Sequence, residues 1–448
     1  MSNPIDEIRS IRIKKLETLK KKGVDPYPSK ISFKITPIKK IRSDFKKLEK
    51  SGKPLGLAGR IIAKREHGGS LFFDLRSEGD FQIFMSKDKI GESDFSLFLE
   101  TVDTGDFVAV WGKPFTTKKK EPTIEATRWE ILSKSLLPLP EKWHGLTDVE
   151  ERFRRRYLDL LMNEEVKGRF EKRSLLIKEL RNFLDKEGFL EVETPVLQSL
   201  AGGATARPFK THHNALNIDL YLRIATELHL KELIMGGFSK VFEIGRLFRN
   251  EGIDHTHNPE FTTIELYVAY WDHEMLMKFI ETLFVFIIKK FPHPTLSFKS
   301  PFRRVKFTEA LERHAQITDY HRKTLDDMKT YALRFAVSHE QFDSKEKIAD
   351  KIFAKICRPK FQEPTFVTHY PSDLIPLAKR SPENPAEALA IQLVAGGVEV
   401  AKMFNELNDP LDQKERFKKE KTFAEKGDKE AQPMDEDFIE AKIGRAHV

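Results

Sequence analysis

The sequence has a single cysteine, Cys357, in 448 residues. One thiol cannot form an internal disulfide framework, and this composition fits a protein of a reducing compartment. The chain also lacks an apolar run long enough to cross a membrane, since the run at 279–288 is short and flanked by charges. The N-terminus is charged from Asp6 onward, which predicts no secretory signal. We therefore expect a cytoplasmic protein without a membrane span.

Two further absences limit the possible chemistry. The sequence has no convincing set of serine or cysteine with histidine for covalent catalysis, and it has no internal repeat. It does have 40% hydrophobic and 33% charged residues, in a chain long enough for two or three domains with cores of their own. The net charge of +8 permits a polyanionic partner but does not require one.

The N-terminal segment is typical of a basic amphipathic helix. Apolar residues recur at helical spacing over 4–22, and Gly23 ends the pattern. The basic residues of its other face are Arg9, Arg12, Lys14, Lys15, Lys20, Lys21 and Lys22. Such a face can rest on RNA phosphates or be solvated, and the sequence leaves both interpretations open.

The segment 55–137 predicts a small β-barrel. It contains five short strand-like runs, most of them separated by polar or glycine-bearing turns, which is typical of an OB-fold. Barrels of this kind bind single-stranded nucleic acid by stacking bases on aromatic side chains in a basic groove. Phe72 and Phe73 must point to opposite faces of their strand, so one belongs to the core and the other can face a ligand.

The stretch 241–267 carries the most chemical information. It predicts a strand, a polar loop and a second strand, a hairpin whose tip can hold a ligand. Its charged side chains include Arg249, Glu251, His257, Glu260 and Glu265. A guanidinium, an imidazole and several carboxylates suit a nucleoside triphosphate together with a charged small molecule. A solvated hairpin with ordinary surface charges is the alternative.

The phrases F-R-N-E-G at 248–252 and H-N-P-E-F at 257–261 resemble motif 2 of the class II aminoacyl-tRNA synthetases. The phrase H-G-L-T-D-V-E-E-R-F-R-R-R-Y-L-D-L at 144–160 is similar to the hinge of the lysyl-tRNA synthetase family, and this resemblance extends to about residue 441. It implies a multidomain α+β fold, with an N-terminal OB-fold β-barrel and a class II catalytic domain built on an antiparallel sheet flanked by helices. The expected parts are a basic helix and linker at 1–50, an anticodon-binding barrel at 51–137, a hinge at 138–165, a catalytic domain at 166–441 that lacks motif 3, and a tail unlike the family at 442–448.

The resemblance also implies how the amino-acid site is assembled. A helix at 170–187 and a strand at 189–197 are similar to motif 1, which forms a homodimer interface in that family. The small-residue loop around Gly203 is similar to the loop that closes over the amino acid. Thr226 is expected to cap a helix whose first residue, Glu227, binds the α-ammonium group of L-lysine.

For the nucleotide, the resemblance assigns Arg249 to the substrate carboxylate and the α-phosphate, Glu251 to the adenine amino group and His257 to the outer phosphates. Phe261 would stack on adenine, and Glu399 would bind ATP and Mg²⁺. In the implied reaction, lysine attacks the α-phosphorus of ATP to give lysyl-adenylate and pyrophosphate, and the lysyl group then passes to the terminal ribose of tRNA(Lys). Such chemistry needs positioning and charge neutralisation more than a covalent nucleophile.

Glu265, Tyr267 and Glu406 would receive the ε-ammonium group of lysine, whereas a relative specific for aspartate or asparagine should place arginine there. Two positions depart from the family pattern. Gln392 stands where a second metal-binding glutamate is usual, and an amide can coordinate Mg²⁺ but brings no charge. Lys402 stands where the amino-acid pocket usually has asparagine, and a cation beside that pocket would cost affinity unless it were paired.

In the barrel, the resemblance implies that Phe72 stacks on an anticodon base, Gln82 reads a base edge and Arg65 helps to hold the strand. A family glutamate is expected in the last strand, where Arg128 stands instead.

The C-terminal sequence departs most from the family. After D-E-D-F-I-E-A at 435–441 the family continues with a G-x-G-x-G-x-D-R segment, motif 3, but this chain reads K-I-G-R-A-H-V. Residues 443–448 resemble a translated sequencing adapter, so we expect an interrupted gene model.

Two rival functions follow: a catalytically inactive tRNA-binding protein derived from a class II synthetase, and an OB-fold RNA-binding protein with an unrelated partner domain. The motif 2 residues argue against the second.

Overall fold

The structure is a computed structural model that describes residues 4–140, 147–204, 206–254, 257–341, 343–425 and 435–445, with the backbone alone at 423, 424 and 443–445. The chain divides into two compact units, Met1–Gly168 and Arg169–Val448. The finer limits expected from the sequence remain predictions. Among the described residues, none of the helices combines the length and the apolar character needed to span a membrane.

The first unit is built around a closed β-barrel. Its elements are α1 (Pro4–Lys21), α2 (Ile38–Ser51), β1 (Leu55–His67), β2 (Ser70–Arg76), β3 (Asp80–Ser86), α3 (Lys87–Ile90), α4 (Glu92–Thr101), β4 (Phe107–Thr116), β5 (Pro122–Ser133), α5 (Val149–Arg154) and α6 (Arg156–Met162). The strand order is β1-β2-β3-β5-β4. β3 and β5 run parallel, and the other neighbouring strands run antiparallel. The predicted OB-fold barrel is confirmed.

Strands β2 and β3 show why the sequence pattern identified the barrel. Buried and partly exposed residues alternate along both strands, as expected when one face of a strand packs in a core. Leu71, Phe73 and Leu75 are fully buried, whereas Phe72 is only partly buried. Phe73 therefore belongs to the core, and Phe72 lies on the outer face.

The predicted N-terminal helix is confirmed as α1, but part of its basic face is not available to RNA. Arg12 is buried, and its guanidinium donates to the carbonyl oxygens of Thr104 at 2.9 Å, Ser135 at 3.1 Å and Leu137 at 2.9 Å. Nζ of Lys15 is 2.6 Å from a carboxylate oxygen of Asp103. These two cations stabilise the barrel unit, because their donors are used within it.

The second unit consists of small mixed sheets and helices, and α7 begins just before it. Its elements are α7 (Glu164–Lys186), β6 (Leu190–Glu191), β7 (Leu197–Gln198), β8 (Lys210–His213), β9 (Ile218–Leu222), α8 (Glu227–Met235), β10 (Lys240–Phe248), β11 (Glu260–Val268), α9 (His273–Lys290), β12 (Arg303–Lys306), α10 (Phe307–Ala315), α11 (Leu325–Arg334), α12 (Lys345–Ile352), β13 (Thr365–Pro371), β14 (Glu387–Ala395), β15 (Val398–Phe404), α13 (Pro410–Glu425) and α14 (Glu436–Arg445). The sheets have the orders β11-β10-β6, β12-β13-β14-β15 and β7-β9-β8.

The predicted sheets flanked by helices are confirmed, with two differences in their strands. The sheets are not purely antiparallel, since β10 pairs with β6 and β12 with β13 in parallel. The strand expected at 189–197 is wrong over most of its length, because only β6 and β7 remain. Between them, the backbone N–H and hydroxyl of Thr194 donate to the carboxylate of Glu243 instead of to a neighbouring strand, and Pro195 has no N–H to donate.

The C-terminal part of the second unit supports α8. Leu377, Phe417, Phe438 and Ile439 form a buried cluster against which Leu228 of α8 packs. β14 and β15 flank a turn at Gly396 and Gly397, where φ is 60° and 77°, as the sequence predicts. Of the expected tail at 442–448, the last three residues lie outside the described part of the chain.

Candidate functional site

The predicted motif 2 hairpin is formed by β10 and β11, which pair antiparallel along their whole length. Because side chains alternate along a strand, Phe261, Glu265 and Tyr267 lie on the same face of β11. Arg249 follows directly after β10, and its backbone N–H donates to the carbonyl oxygen of Pro259 at 2.8 Å. The hairpin thus arranges an arginine, an aromatic ring, a carboxylate and a phenol along one short segment.

Glu265 faces the start of α8. One of its carboxylate oxygens accepts a hydrogen bond from the backbone N–H of Thr226 at 3.4 Å. Burial and the nearby charge of Glu227 raise the pKa of Glu265 to about 7, although Arg249 acts in the opposite direction. Near neutral pH this carboxyl group is therefore divided between its two forms, and a cation nearby would favour the ionised form.

Glu227 and Glu406 meet at the ammonium group of Lys231. Nζ of Lys231 is 2.6 Å from Oε1 of Glu227, which lies one helical turn earlier in α8. The same ammonium forms an ion pair with Oε2 of Glu406, and only 1% of the Lys231 side chain is exposed. Burial alone would lower the pKa of Lys231, but the two carboxylates outweigh burial and raise the pKa. Lys231 is a buried cation that joins two separate parts of the chain.

Glu406 and Tyr267 complete this cluster. Burial raises the pKa of Glu406 to about 7, against the influence of Lys231. Burial also raises the pKa of the Tyr267 phenol, and Glu227, Glu265 and Glu406 raise it further because each disfavours a phenolate. The residues expected to bind the two ammonium groups of lysine are therefore close enough to influence one another.

Gly203 lies against the first turn of α8. Its φ of 86° favours glycine, and a Cβ atom at this position would lie 3.1 Å from the Cβ atoms of both Ala225 and Glu227. A larger residue would push the loop away from Glu227. The structure therefore places the predicted closing loop beside the predicted ligand of the α-ammonium group.

Thr226 occupies the position before α8, but the expected capping hydrogen bond is absent. Its backbone is helical, with φ −100° and ψ −4°, whereas a capping side chain usually needs an extended backbone. Its buried hydroxyl oxygen forms no well-aligned hydrogen bond among the described residues, but it lies close enough to Glu265 to lower the pKa of that carboxyl group. A buried hydroxyl of this kind is available to a ligand or a water molecule.

Of the residues expected to bind the nucleotide, Arg249 and Phe261 are in contact. The guanidinium carbon of Arg249 lies 5.2 Å from the centre of the Phe261 ring. Glu251 and His257 lie on the exposed loop of the hairpin. Asp254 holds His257, because its carboxylate accepts from the backbone N–H at 2.8 Å and lies 2.8 Å from Nδ1 of the ring.

A register shift brings Glu399, Gln392 and Lys402 to one face of the β14–β15 pair. Gln392 is opposite Lys402, and Val394 is opposite Glu399, because the pairing shifts after Leu393. Gln392 and Val394 are two residues apart on β14 and so point to the same face of the sheet. Their partners on β15, Lys402 and Glu399, therefore also point to that face. Oε1 of Gln392 is buried without a hydrogen-bond partner in the described part of the chain.

The charge of Lys402 acts on the predicted metal ligand. Partial desolvation raises the pKa of Glu399, whose side chain is still 33% exposed, while Lys402 and Arg358 lower it. A guanidinium nitrogen of Arg358 lies 3.9 Å from this carboxylate. Lys402 likewise acts on Asp350, whose pKa is raised by burial. Lys402, which the sequence analysis expected beside the amino-acid pocket, thus places its charge near Glu399.

The side chains near Glu399 offer Mg²⁺ one carboxylate and one amide oxygen. Glu399 and the unpaired oxygen of Gln392 are the oxygen ligands that this ion prefers. Within the described ranges, no group of three or more histidine, cysteine, aspartate or glutamate side chains is arranged to hold a metal ion. Mg²⁺ is commonly bound by one or two carboxylates together with substrate phosphates, and this site offers that number.

The outer face of the barrel carries a row of aromatic side chains. The Phe72 ring lies 4.8 Å from that of Phe84 and 6.5 Å from that of His67, and Phe84 lies 6.0 Å from Phe115. The row is partly exposed, which is the arrangement that base stacking requires. Only Phe72 was expected here; the alternation of β3 and β4 was the signal that could have found the other rings.

The other expected anticodon residues lie on the same face. Arg65 is opposite Phe72, and Gln82 is opposite Asp74, in the pairings of β1, β2 and β3. Oε1 of Gln82 accepts from the hydroxyl of Thr123 at 3.0 Å, which leaves its amide nitrogen directed elsewhere. Arg128 donates to Glu130 and Ser32 at 2.8 and 2.7 Å, so its guanidinium is held at the barrel surface.

Lys231 is the main residue that the sequence analysis missed. Its spacing of four residues from Glu227 in a predicted helix was an available signal, because such pairs commonly interact. Its contact with Glu406 had no local signal, since it depends on the tertiary fold.

Comparison with known proteins gives consistent matches over both units. Residues 148–444 match the family of class II tRNA synthetases (D, K and N), and residues 56–132 match the OB-fold nucleic acid binding domain. The chain is 43% identical to the lysine–tRNA ligase of Thermoanaerobacter pseudethanolicus, over 98% of this chain and 89% of that protein. It is 42% identical to the lysine–tRNA ligase of Moorella thermoacetica, over 97% and 90%. It is 45% identical to that of Aquifex aeolicus, over 87% and 67%.

Proposed function

Because the chain belongs to the class II tRNA synthetases and, within them, to the lysine–tRNA ligases, we propose that it activates L-lysine with ATP and transfers the lysyl group to tRNA(Lys). The observation that supports this best is the acidic cluster of Glu227, Glu265 and Glu406. Carboxylates that are costly to bury are retained where a cationic ligand compensates for their desolvation.

In the proposed lysine complex, Glu227 accepts from the α-ammonium group, with the Gly203 loop beside it. Glu265 and Glu406 receive the ε-ammonium group together with the Tyr267 hydroxyl. Support comes from the pKa of about 7 for both Glu265 and Glu406, since each carboxyl group then ionises readily when a cation enters.

Arg249 is proposed to bind the lysine carboxylate and the α-phosphate, and so to bring the attacking oxygen to the phosphorus. Phe261 stacks on adenine, Glu251 accepts from its amino group, and His257 binds the outer phosphates. Support comes from the order of these residues on one hairpin and from the Asp254 carboxylate that orients His257. Mg²⁺ held by Glu399, and by the amide oxygen of Gln392, would supply charge neutralisation at the triphosphate.

The barrel is proposed to bind the anticodon of tRNA(Lys) through Phe72, Gln82 and Arg65. The aromatic row and the match to an OB-fold nucleic acid binding domain support this role. We also propose that the protein acts in the cytoplasm as a homodimer formed through motif 1. Exposed apolar side chains on α7 and β6, such as Phe170 and Leu190, support such an interface.

Lysine-dependent exchange of pyrophosphate into ATP tests the proposal. We expect exchange with L-lysine and none with L-aspartate or L-asparagine, because the pocket is acidic. The matched variant is Glu265→Ala, which should abolish the exchange. Absence of exchange from a folded protein that still binds tRNA(Lys) would favour the rival function of an inactive tRNA-binding protein.

A further inference from the structure

Lys231 makes the acidic cluster unusual, because a site for a lysine ligand already contains a lysine of the chain. Its ammonium contacts Glu227 and Glu406, which are carried by α8 and by the segment after β15. Glu227 is held at 2.6 Å, so its carboxylate has a fixed direction. The remaining carboxylate, Glu265, contacts the backbone N–H of Thr226 rather than Lys231. Lys231 thus orients two of the three carboxylates proposed to bind the ligand, and the third, Glu265, is oriented without it.

The charges of the cluster can be counted from these contacts. Glu227, Glu265 and Glu406 carry three negative charges when they are ionised, and Lys231 and Arg249 carry two positive charges. One negative charge remains. L-lysine, with two ammonium groups and one carboxylate, has one net positive charge and balances it. Without Lys231 the site would have two uncompensated negative charges and would suit a ligand with two net positive charges.

One more charged group lies close to the cluster. Lys442 of α14 donates to the carbonyl oxygen of Leu407 at 2.6 Å and to the side chain of Gln413 at 2.9 Å. Burial and the charge of Lys231 lower the pKa of Lys442 to about 7. The charge count takes Lys442 as neutral and Glu265 and Glu406 as ionised, and pH 8 lies on that side of the pKa of each group, which is about 7. The charge count therefore applies at pH 8.

We propose that Lys231 determines specificity: it holds Glu227 and Glu406 in position and sets the net charge of the pocket to match L-lysine rather than a diamine. The inference rests on the proposed function, because it takes L-lysine as the ligand. Lys231 itself does not contact the reacting atoms and acts through the carboxylates that it holds.

The test compares L-lysine with pentane-1,5-diamine, which is lysine without its carboxylate. Their dissociation constants are measured by calorimetry at pH 8 for the full chain and for Lys231→Met, Lys231→Gln and Lys231→Arg. In the unaltered protein L-lysine should bind more tightly. Loss of the positive charge in Lys231→Met or Lys231→Gln should lower the preference for L-lysine over the diamine by about tenfold, because a charge a few ångströms away distinguishes the two ligands. Lys231→Arg should restore most of the preference.

The matched control is Lys134→Met in the barrel, which also removes a buried lysine held by two carboxylates. It should leave the preference between the two ligands unchanged. If Lys231→Met weakens both ligands equally, Lys231 has a structural role only and the proposal is wrong. The proposal is equally wrong if neither uncharged variant folds while Lys231→Arg does.

Failure of the proposed function gives a different result. In that case the unaltered protein would bind neither ligand, or would prefer the diamine. Failure of the inference about Lys231 would leave L-lysine binding intact and change only the response of the variants.

Discussion

Each unit of the molecule buries one lysine between two carboxylates, and the two clusters differ in how completely they are satisfied. In the barrel unit, Nζ of Lys134 lies 2.6 Å from Asp103 and 2.7 Å from Asp106, and the lysine side chain is fully buried. Asp106 also accepts from the backbone N–H groups of Asp103 and Ser135, both at 2.7 Å. Both oxygens of this carboxylate therefore accept hydrogen bonds within the barrel unit.

The cluster around Lys231 in the second unit is left incomplete. Oε2 of Glu406 is satisfied by a close ion pair with Lys231, but the hydroxyl of Thr226, beside Glu265, forms no well-aligned hydrogen bond among the described residues. Across the described part of the chain, the buried side-chain nitrogen and oxygen atoms without a well-aligned hydrogen bond all belong to the second unit: Thr226, His273, Tyr320, Arg358, Tyr370, Gln392 and the ion-paired Glu406. Buried polar groups are normally satisfied, as they are around Lys134, whereas the proposed function assigns the cluster around Lys231 to a ligand.

The largest expected effect comes from removing Glu265, the carboxylate of the second cluster that Lys231 does not contact. Glu265→Ala should abolish lysine-dependent pyrophosphate exchange and weaken L-lysine binding by at least about 100-fold, because the ligand ammonium loses a buried charged partner. Calorimetry at pH 8 measures the loss of binding. Unchanged activity would show that Glu265 does not select the substrate.

The companion variant Glu265→Gln separates binding from folding. The partly buried carboxylate of Glu265 carries an unfavourable charge at pH 8, since desolvation raises its pKa to about 7. Replacing it with an amide should therefore leave the free energy of unfolding unchanged or raise it, while L-lysine binding is lost. A large loss of stability in Glu265→Gln would contradict the interpretation of an unsatisfied, ligand-dependent cluster.

The opposite result is expected for the barrel. Lys134→Met leaves the buried carboxylate of Asp106 without its cation, while Asp103 keeps its ion pair with Lys15, and should lower the free energy of unfolding of the barrel by about 3 kcal/mol. Denaturant titration, followed by the fluorescence of Trp111 and Trp129, measures this change. L-lysine affinity should remain within about twofold of the unaltered protein, because Lys134 and the carboxylate cluster belong to different compact units and share no partner among the described contacts.

The outer face of the barrel gives a third test. Phe72→Ala should weaken binding of an anticodon stem–loop of tRNA(Lys) by about 30-fold, because stacking of one base contributes about 1–3 kcal/mol. Fluorescence anisotropy measures this binding. Phe73→Ala is the matched control: its ring is fully buried, so it should lower stability rather than affinity in the folded protein. Equal affinities for Phe72→Ala and the unaltered protein would exclude Phe72 from the RNA surface.

The smallest expected effect is a dependence of lysine binding on pH. The pKa values of Glu265 and Glu406 are about 7 without ligand, and a bound ammonium group favours both ionised forms. Binding should therefore release protons and weaken by about tenfold as the pH falls from about 8 to about 6. Calorimetry in two buffers of different ionisation enthalpy counts the released protons. A flat profile would show that these carboxyl groups are already ionised without ligand.

The same linkage acts on stability without lysine. Because the pKa of Glu265 is raised above its unfolded value, the folded state binds the proton more tightly. The contribution of Glu265 is fully present below the unfolded pKa and is lost as the pH rises through about 7. Added L-lysine should offset part of this loss.

Features set by local patterns were predictable from the sequence. Alternation identified the barrel strands and placed one of Phe72 and Phe73 in the core, and the hairpin of β10 and β11 followed from the same rule. Features set by tertiary contacts were not. The strand expected at 189–197 is interrupted because Thr194 bonds to Glu243, and nothing near Arg12 in the sequence indicates that carbonyl groups of distant loops would bury it.

The candidate site shows the same limit. Resemblance named Glu227, Glu265 and Glu406 as ligands, and the structure brings them together. The resemblance could not indicate that Lys231 contacts both Glu227 and Glu406, since that contact depends on how α8 packs against the segment after β15. Nor could it show that the charge of Lys402 would act on Glu399, because this depends on a register shift between two strands.

A crystal structure of the protein with L-lysine at pH 8, about one unit above the pKa of Glu265, is the most direct test of the account. We expect the ε-ammonium group within hydrogen-bond distance of Glu265 and Glu406, the α-ammonium group at Glu227, and Lys231 still bridging its two carboxylates. Lysine bound elsewhere, or bound with its carboxylate against this cluster, would contradict the account.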